Sequence, residues 1–141
     1  MTSKEFHKIT ALIVEDDFTS RVLLQRFLSR YGECHIAVNG KEAISAVEWA
    51  VAESHPYDLV CMDILMPEMD GHEALKRIRA FERDRHVPTY AAVKIIMTTG
   101  VQDIDTVTQV LRDSASAYLL KPIDLRKLLS LLNGFGLITH S

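Results

Sequence analysis

Short apolar runs alternate along this chain with segments in which apolar residues recur at helical spacing. A short apolar run that ends at an acid or a turn signal predicts a buried strand. Five runs of this kind predict strands at Ile9 to Val14, Cys34 to Val38, Asp58 to Met62, Val93 to Met97 and Ser116 to Leu120. The third run ends the most abruptly, because it passes directly into Asp63 and then into a turn marked by Pro67 and Gly71.

Helical periodicity between these runs predicts five helices. We expect Gly32 to end the first helix and the third to begin after Gly71. The predicted N-caps of the second, fourth and fifth helices are Asn39, Asp103 or Asp105, and Asp124. The stretch from Glu82 to Tyr90 is charged and contains a proline, which favours a surface loop. Strands alternating with helices indicate an α/β fold, a doubly wound parallel sheet covered on both faces.

Composition narrows the classes of protein that fit. A length of 141 residues favours one domain, and 48% hydrophobic with 25% charged residues is ordinary for a globular protein. The net charge of -3 argues against a nucleic-acid partner, which usually requires a basic surface. Cys34 and Cys61 form no CxxC pair. Without an apolar leader or a run of about 20 apolar residues, we expect no membrane partner and a cytoplasmic location.

Polar groups stand at the ends of four predicted strands. The acids Glu15-Asp16-Asp17 follow the first, Asp63 the third, Thr98-Thr99 the fourth and Lys121 the fifth. Because the carboxyl ends of parallel strands share one edge of a sheet, we expect these groups to meet. Clustered carboxylates repel one another unless a cation lies among them, and Mg²⁺ binds through oxygen ligands. A carboxylate nucleophile beside a metal, a lysine and a hydroxyl predicts phosphoryl transfer onto Asp63.

Other interpretations of these residues stay open at this point. Acids after strands also serve as N-caps, and Asp17 fits that role. A Mg²⁺-dependent phosphohydrolase would use Asp63 on a free substrate, but Leu65 stands where such enzymes carry a second acid. A flavodoxin-like cofactor binder needs a phosphate-binding loop after the first strand, where the three acids would repel a phosphate.

Four motifs, in order and at compatible spacing, resemble the receiver domains of response regulators of the CheY-like type. They are Leu12 to Asp17, Met62 to Gly71, Ile95 to Gly100 and Tyr118 to Pro122. The resemblance covers nearly the whole chain. It implies a flavodoxin-like (βα)5 fold with strand order 2-1-3-4-5 and a single receiver domain over residues 1–141.

The resemblance also implies a role for each matching residue. Asp63 matches the phosphoacceptor, and Lys121 matches the lysine that contacts the acceptor and the phosphoryl group. The bond from Lys121 to Pro122 is typically cis in this family. Thr99 matches the switch hydroxyl, and Tyr118 matches the aromatic residue that changes rotamer with it.

Three acids compete for two metal-binding positions in the resemblance. An ungapped match makes Asp16 a direct Mg²⁺ ligand and lets Glu15 act through water, so that Asp17 begins the loop into the first helix. The pair Asp16–Asp17 is the alternative. Asp63 and the backbone carbonyl of Leu65 are the remaining protein ligands expected for the metal.

The implied function is that of a response regulator in two-component signal transduction. A sensor histidine kinase or a phosphotransfer protein would supply the phosphoryl group. The face formed by the fourth helix, fifth strand and fifth helix would then control a separate, unidentified protein. The alternative is an intermediate phosphoryl carrier in a phosphorelay. We expect a monomer or a weak activation-dependent dimer that catalyses only its own phosphorylation and dephosphorylation. Apolar Leu65 and Val101 predict slow self-dephosphorylation.

Overall fold

The computed structural model of the protein describes residues 8–100 and 115–138. Its strands are β1 (Ile9–Val14), β2 (Gly32–Ala37), β3 (Leu59–Asp63), β4 (Lys94–Thr99) and β5 (Ala117–Leu120). They form one parallel sheet in the order β2-β1-β3-β4-β5, which confirms the predicted fold. The helices in these residues are α1 (Phe18–Leu28), α2 (Gly40–Ala52), α3 (Gly71–Asp84) and a C-terminal helix (Leu125–Gly134). The predicted fourth helix, including Asp103 and Asp105, lies outside the described residues.

Each face of the sheet carries its own layer of core, as the unbroken apolar strands require. Alternate residues of the central strands, such as Leu12, Val60 and Ile95, pack with α2 and α3. The residues between them, such as Ile13 and Cys61, pack with α1 and the C-terminal helix. The sheet is therefore buried on both sides, and its polar groups are confined to the edges where the strands end.

Side-chain caps fix where the helices begin. Asn39 accepts a hydrogen bond from the backbone N–H of Glu42 at 2.9 Å, and Asp124 accepts one from Arg126 at 2.9 Å. Both caps confirm the sequence prediction. Asp70 caps α3 by accepting from the backbone N–H of Glu73 at 2.8 Å, and this cap was not anticipated.

Most predicted bounds lie within two residues of the observed ones, but the end of the first helix and the loop after the third helix differ more. The first helix ends at Leu28, and Gly32 begins β2, where a Cβ would lie 1.7 Å from the Ile9 carbonyl oxygen. The predicted loop from Glu82 is helical as far as Asp84. Glu82 is only 12% exposed, because its carboxylate accepts hydrogen bonds from Arg79 Nη1 and the backbone N–H of Val93, both at 2.8 Å. Glu82, whose charge suggested a solvated position, therefore links the end of α3 to the residue before β4 by hydrogen bonds.

In the described part of the chain, no helix combines the length and the apolar character needed to cross a bilayer.

Candidate functional site

Asp63 is the last residue of β3 and stands at the carboxyl edge of the sheet, 7% exposed. Its Oδ1 accepts a hydrogen bond from the backbone N–H of Leu65 at 3.3 Å. The turn after it is fixed by the N–H of Gly71, which donates to the carbonyl of Ile64 at 2.8 Å. A Cβ at Gly71 would lie 2.2 Å from the Asp63 carbonyl oxygen, so only glycine allows this approach.

Lys121 follows β5 and brings a cation to Asp63. Its Nζ lies 3.1 Å from Asp63 Oδ2 and 2.9 Å from Glu15 Oε1. The Lys121–Pro122 peptide is cis. Burial lowers the pKa of Lys121, but the hydrogen bond to Glu15 and the charges of Asp63 and Glu15 outweigh it, so the pKa is raised overall. The ammonium is therefore charged at neutral pH and links two carboxylates.

Glu15 follows β1 directly, and its side chain is 1% exposed. Its Oε2 accepts a hydrogen bond from the backbone N–H of Asp17 at 3.1 Å, and its backbone carbonyl accepts one from Arg21 Nη1 at 3.1 Å. Burial, opposed by the Lys121 hydrogen bond and reinforced by the charge of Asp63, raises the pKa of Glu15 to about 7. Near neutral pH this carboxyl group is divided between its two protonation states.

The three acids after β1 separate into two groups. One carboxylate oxygen from each of Glu15, Asp16 and Asp63 lies within 4.8 Å of the others, a spacing that could hold a metal ion. Asp16 is the exposed member of this cluster. Asp17 instead caps α1, where its Oδ2 accepts from the backbone N–H of Ser20 at 2.9 Å. The structure thus groups Asp63 with Glu15 and Asp16 and gives Asp17 the capping role.

Thr99 ends β4 at the same edge and is 1% exposed. Its Oγ1 lies 3.4 Å from the Gly100 carbonyl, and its own carbonyl accepts from the backbone N–H of Lys121 at 2.7 Å. Tyr118 pairs in register with Met97, two residues before Thr99, and its side chain is 38% exposed. By the alternation of a strand, Thr99 and Tyr118 belong to the same face of the sheet.

Leu65 lies two residues beyond Asp63, and its side chain is 57% exposed at this edge. The other position expected to influence water, Val101, lies outside the described residues.

Two residues of the site were missed from the sequence. Nothing in the sequence singles out Arg21 from the other polar positions of the first helix, yet its guanidinium donates a hydrogen bond to the backbone carbonyl of Glu15. Gly71 had been interpreted as turn chemistry, yet it makes room for the backbone of Asp63. The only signal for Arg21 was its position one helical turn after the acids, and such a spacing is too common to identify a contact.

This arrangement has the parts of a phosphoacceptor site. It places one carboxylate at a strand end, two further carboxylates able to bind a cation, and an ammonium and a hydroxyl that can contact oxygens of a phosphoryl group. A carboxylate, an ammonium and a hydroxyl at the carboxyl edge of a doubly wound sheet can together accept and hold a phosphoryl group.

The family model of the response regulator receiver domain matches residues 11–133. The chain belongs to this family, and it is a receiver domain of two-component signalling. Receiver domains are phosphoacceptor signalling domains that bind Mg²⁺ through acidic residues, and the cluster of Glu15, Asp16 and Asp63 fits that property.

Curated relatives are much longer than this chain. It is 37% identical over 118 residues to the regulatory protein AtoC of Escherichia coli, covering 83% of this chain and 23% of that protein. It is 39% identical over 123 residues to the transcription factor SKN7 of Candida albicans, covering 86% of this chain and 20% of that protein. The chain spans about a quarter or less of the length of these relatives.

Two solved structures illustrate the receiver fold. The receiver domain of Saccharomyces cerevisiae Ssk1, solved with the histidine phosphotransfer protein Ypd1, is 29% identical with a TM-score of 0.77, covering 93% of this chain and 90% of that one. A CheX–CheY–BeF3–Mg²⁺ complex from Borrelia burgdorferi contains a chain that is 28% identical with a TM-score of 0.72, covering 90% of this chain and 89% of that one.

Proposed function

We propose that Asp63 accepts a phosphoryl group from a histidine kinase or a phosphotransfer protein, and that phosphorylation switches the chain's affinity for a separate partner. The observation that supports this most directly is the position of Lys121, whose Nζ lies 3.1 Å from Asp63 Oδ2 and 2.9 Å from Glu15 Oε1. A cation held at the acceptor is already in place to meet the charge of an incoming phosphoryl group.

The acids of the site fit a Mg²⁺ ion. Three carboxylate oxygens within 4.8 Å are ligands of the kind this hard cation prefers. Asp16, Asp63 and the backbone carbonyl of Leu65 would hold the ion directly, and Glu15 would hold it through water. When bound, Mg²⁺ would offset negative charge on the phosphoryl oxygens.

The chain's own residues divide the work of the transfer. A carboxylate oxygen of Asp63 forms a bond to phosphorus as the bond from phosphorus to the donor histidine nitrogen breaks. The histidine leaves with that electron pair and takes up a proton. Lys121 pairs with the phosphoryl oxygens, and its link to Glu15 keeps it oriented toward the acceptor.

The buried hydroxyl of Thr99 provides the switch. It would turn toward a phosphoryl oxygen on Asp63, and Tyr118, now 38% exposed, would move into the space vacated. The movement of Tyr118 changes the surface around β5, which is the proposed output face. Residues 1–141 would act as one receiver domain on an unidentified downstream protein, as a monomer or a weak activation-dependent dimer. We place this activity in the cytoplasm, with no nucleic acid bound by the receiver itself.

Labelling with acetyl phosphate in the presence of Mg²⁺ tests the acceptor. The wild-type chain should gain one phosphoryl group by intact-protein mass spectrometry, and Asp63→Asn should gain none. Asp84→Asn is the matched control, because Asp84 is an exposed acid at the end of α3, and it should be labelled like the wild type. Label retained on Asp63→Asn would assign the acceptor to another residue.

A relay intermediate is the second candidate. The likeness to the Ssk1 receiver, solved with the histidine phosphotransfer protein Ypd1, supports contact with such a protein, and the direction of transfer separates the two candidates. A relay carrier returns its phosphoryl group to a phosphotransfer protein. Phosphorylated chain mixed with an excess of such a protein should then lose its label to the partner histidine within seconds to minutes. Loss to inorganic phosphate alone would favour a terminal regulator.

A further inference from the structure

A cavity of about 380 Å³ lies at the amino edge of the sheet, at the opposite end of the strands from Asp63. The C-terminal halves of α2 and α3, the chain before β3 and the segment from Arg85 to Val93 enclose it. None of the residue roles described above uses it. Its size falls in the lower part of the range that small-molecule sites occupy, roughly 300–1,000 Å³.

The walls of this cavity are apolar. Val47, Val51, Phe81 and Val93 are among the side chains that line it. Tyr57 also lines it, but its hydroxyl is bonded to His35 Nδ1 at 2.6 Å, so the hydroxyl already has a partner. A ligand that fills this space must therefore be apolar over most of its surface.

Within the residues that the structure describes, one charged side chain at the cavity, that of Arg85, is not neutralised by a neighbouring charge. Glu82 lines the cavity, but its carboxylate is bonded to Arg79 and to the backbone N–H of Val93. Arg85 has no carboxylate partner in the described part of the chain, and its guanidinium lies 4.9 Å from the centre of the Phe81 ring. Stacking on a ring leaves the in-plane N–H groups of a guanidinium available to a carboxylate.

The mouth is held in a defined shape. His86 has a φ of 58°, in the left-handed region that costs a residue other than glycine some energy. Backbone bonds stabilise this turn, with the His86 N–H donating to Arg83 at 3.0 Å and the Val87 N–H donating to Glu82 at 3.0 Å. A preformed mouth reduces the ordering that a ligand would have to impose.

We propose that this cavity binds a small aromatic monocarboxylate, with its ring among Val47, Val51 and Phe81 and its carboxylate on Arg85. The apolar walls select the ring, and the unpaired guanidinium selects an anion over a neutral or cationic molecule. The proposal does not depend on phosphorylation of Asp63, and it can succeed or fail independently of it.

A titration with 2-naphthoate, followed by backbone amide shifts, tests the site. We expect saturable shifts concentrated at the residues that line the cavity. Arg85→Gln should weaken binding about tenfold, which is typical for the loss of a charge-assisted hydrogen bond. Arg83→Gln is the matched control, because Arg83 lies in the last turn of α3, two residues before Arg85, but does not line this cavity. It should bind like the wild type.

Two further measurements separate the ring from the charge. The neutral analogue 2-naphthamide should bind the wild type and Arg85→Gln equally, and more weakly than the carboxylate binds the wild type. Filling the cavity with Val51→Phe, or with Ala91→Phe if the first variant does not fold, should abolish binding of both probes while labelling of Asp63 continues. Absence of saturable shifts, shifts located elsewhere, or equal weakening by Arg83→Gln and Arg85→Gln would overturn the proposal.

Discussion

Glu15 holds a carboxyl group almost wholly out of water beside a second acid. Its pKa rises from 4.5 in the unfolded chain to about 7 in the folded chain. Between these two pH values the folded chain keeps a proton on Glu15 that the unfolded chain has lost. The stabilisation from this neutral form is fully present below about pH 4.5 and is lost as the pH rises through 7. In the absence of Mg²⁺, stability therefore falls across this window on account of Glu15.

Glu15→Gln keeps the group neutral at every pH. The variant should match the wild type near pH 4 and exceed it by up to about 3 kcal/mol near pH 8, since one pKa unit corresponds to about 1.4 kcal/mol. Urea unfolding at several pH values without Mg²⁺ measures this gap. Glu48→Gln, an exposed acid on α2, is the control and should show no widening. A gap for Glu15→Gln that does not change with pH would contradict the role assigned to its burial.

The exposed side chain of Leu65 provides a second test at this scale. It is 57% exposed two residues beyond Asp63, where an apolar group offers no hydrogen bond to a water near the phosphoryl group. Leu65→Asn adds a donor and an acceptor there and should shorten the lifetime of the phosphorylated chain severalfold. Decay of the phosphorylated form by mass spectrometry measures it. Ile36→Asn, at a 38% exposed position on β2, should leave the lifetime unchanged, and an equal or longer lifetime for Leu65→Asn would refute the idea.

At the scale of secondary-structure elements, the start of α1 separates two acids that are adjacent in sequence. Asp17 caps the helix, whereas Asp16 belongs to the carboxylate cluster. Asp17→Ala should lower the free energy of unfolding through loss of the cap and leave Mg²⁺ affinity nearly unchanged. Asp16→Asn should weaken Mg²⁺ binding and leave the free energy of unfolding nearly unchanged. Urea unfolding and calorimetric Mg²⁺ titration together measure both effects, and a large loss of Mg²⁺ affinity in Asp17→Ala would favour the Asp16–Asp17 pair.

Sequence periodicity predicted the strands well because each is a continuous apolar run bounded by acids or turns. It placed β3 within one residue and β1 without error. It failed at the end of α3, since Glu82 looks like a loop residue until Arg79 and the N–H of Val93 are seen to bind it. Long-range partners of this kind leave no periodic signal.

The site was predictable for a topological reason. Once the sheet is parallel, Asp63, Thr99 and Lys121 must share one edge, whatever their separation in sequence. The distances were not predictable, and neither was the raised pKa of Glu15, which depends on how deeply the end of β1 is buried. The sequence also did not predict the hydrogen bonds that link Glu33 through His35 to Tyr57, because they join residues of β2 to the segment before β3.

At the scale of the whole molecule, the two ends of the sheet carry different chemistry. The carboxyl edge gathers the acids, Lys121 and Thr99, whereas the amino edge contains the apolar cavity. β4 connects the two edges. Val93, just before the strand, lines the cavity, and Thr99 is the last residue of the strand. Arg79 and Glu82 bind the carbonyl and the N–H of Val93, each at 2.8 Å, so the start of this strand is fixed to α3. A conformational change at Thr99 is therefore expected to move the carboxyl end of β4 more than its start.

Beryllofluoride, an acyl-phosphate mimic, tests this switch in the whole chain. With 3-fluorotyrosine incorporated, each of the four tyrosines should give a fluorine resonance. Adding beryllofluoride and Mg²⁺ should shift the Tyr118 resonance in the wild type and in Thr99→Ser, because both keep a hydroxyl that can turn toward Asp63. Thr99→Ala should still bind the mimic, seen as a shift of the Asp63 amide, but leave the Tyr118 resonance near its original position.

Tyr90 is the internal control and its resonance should not respond, because it is 87% exposed and lies in the 3-10 helix Thr89–Ala91 at the opposite edge. A full Tyr118 shift in Thr99→Ala would show that the acceptor reaches the β5 surface by a route other than the hydroxyl of Thr99.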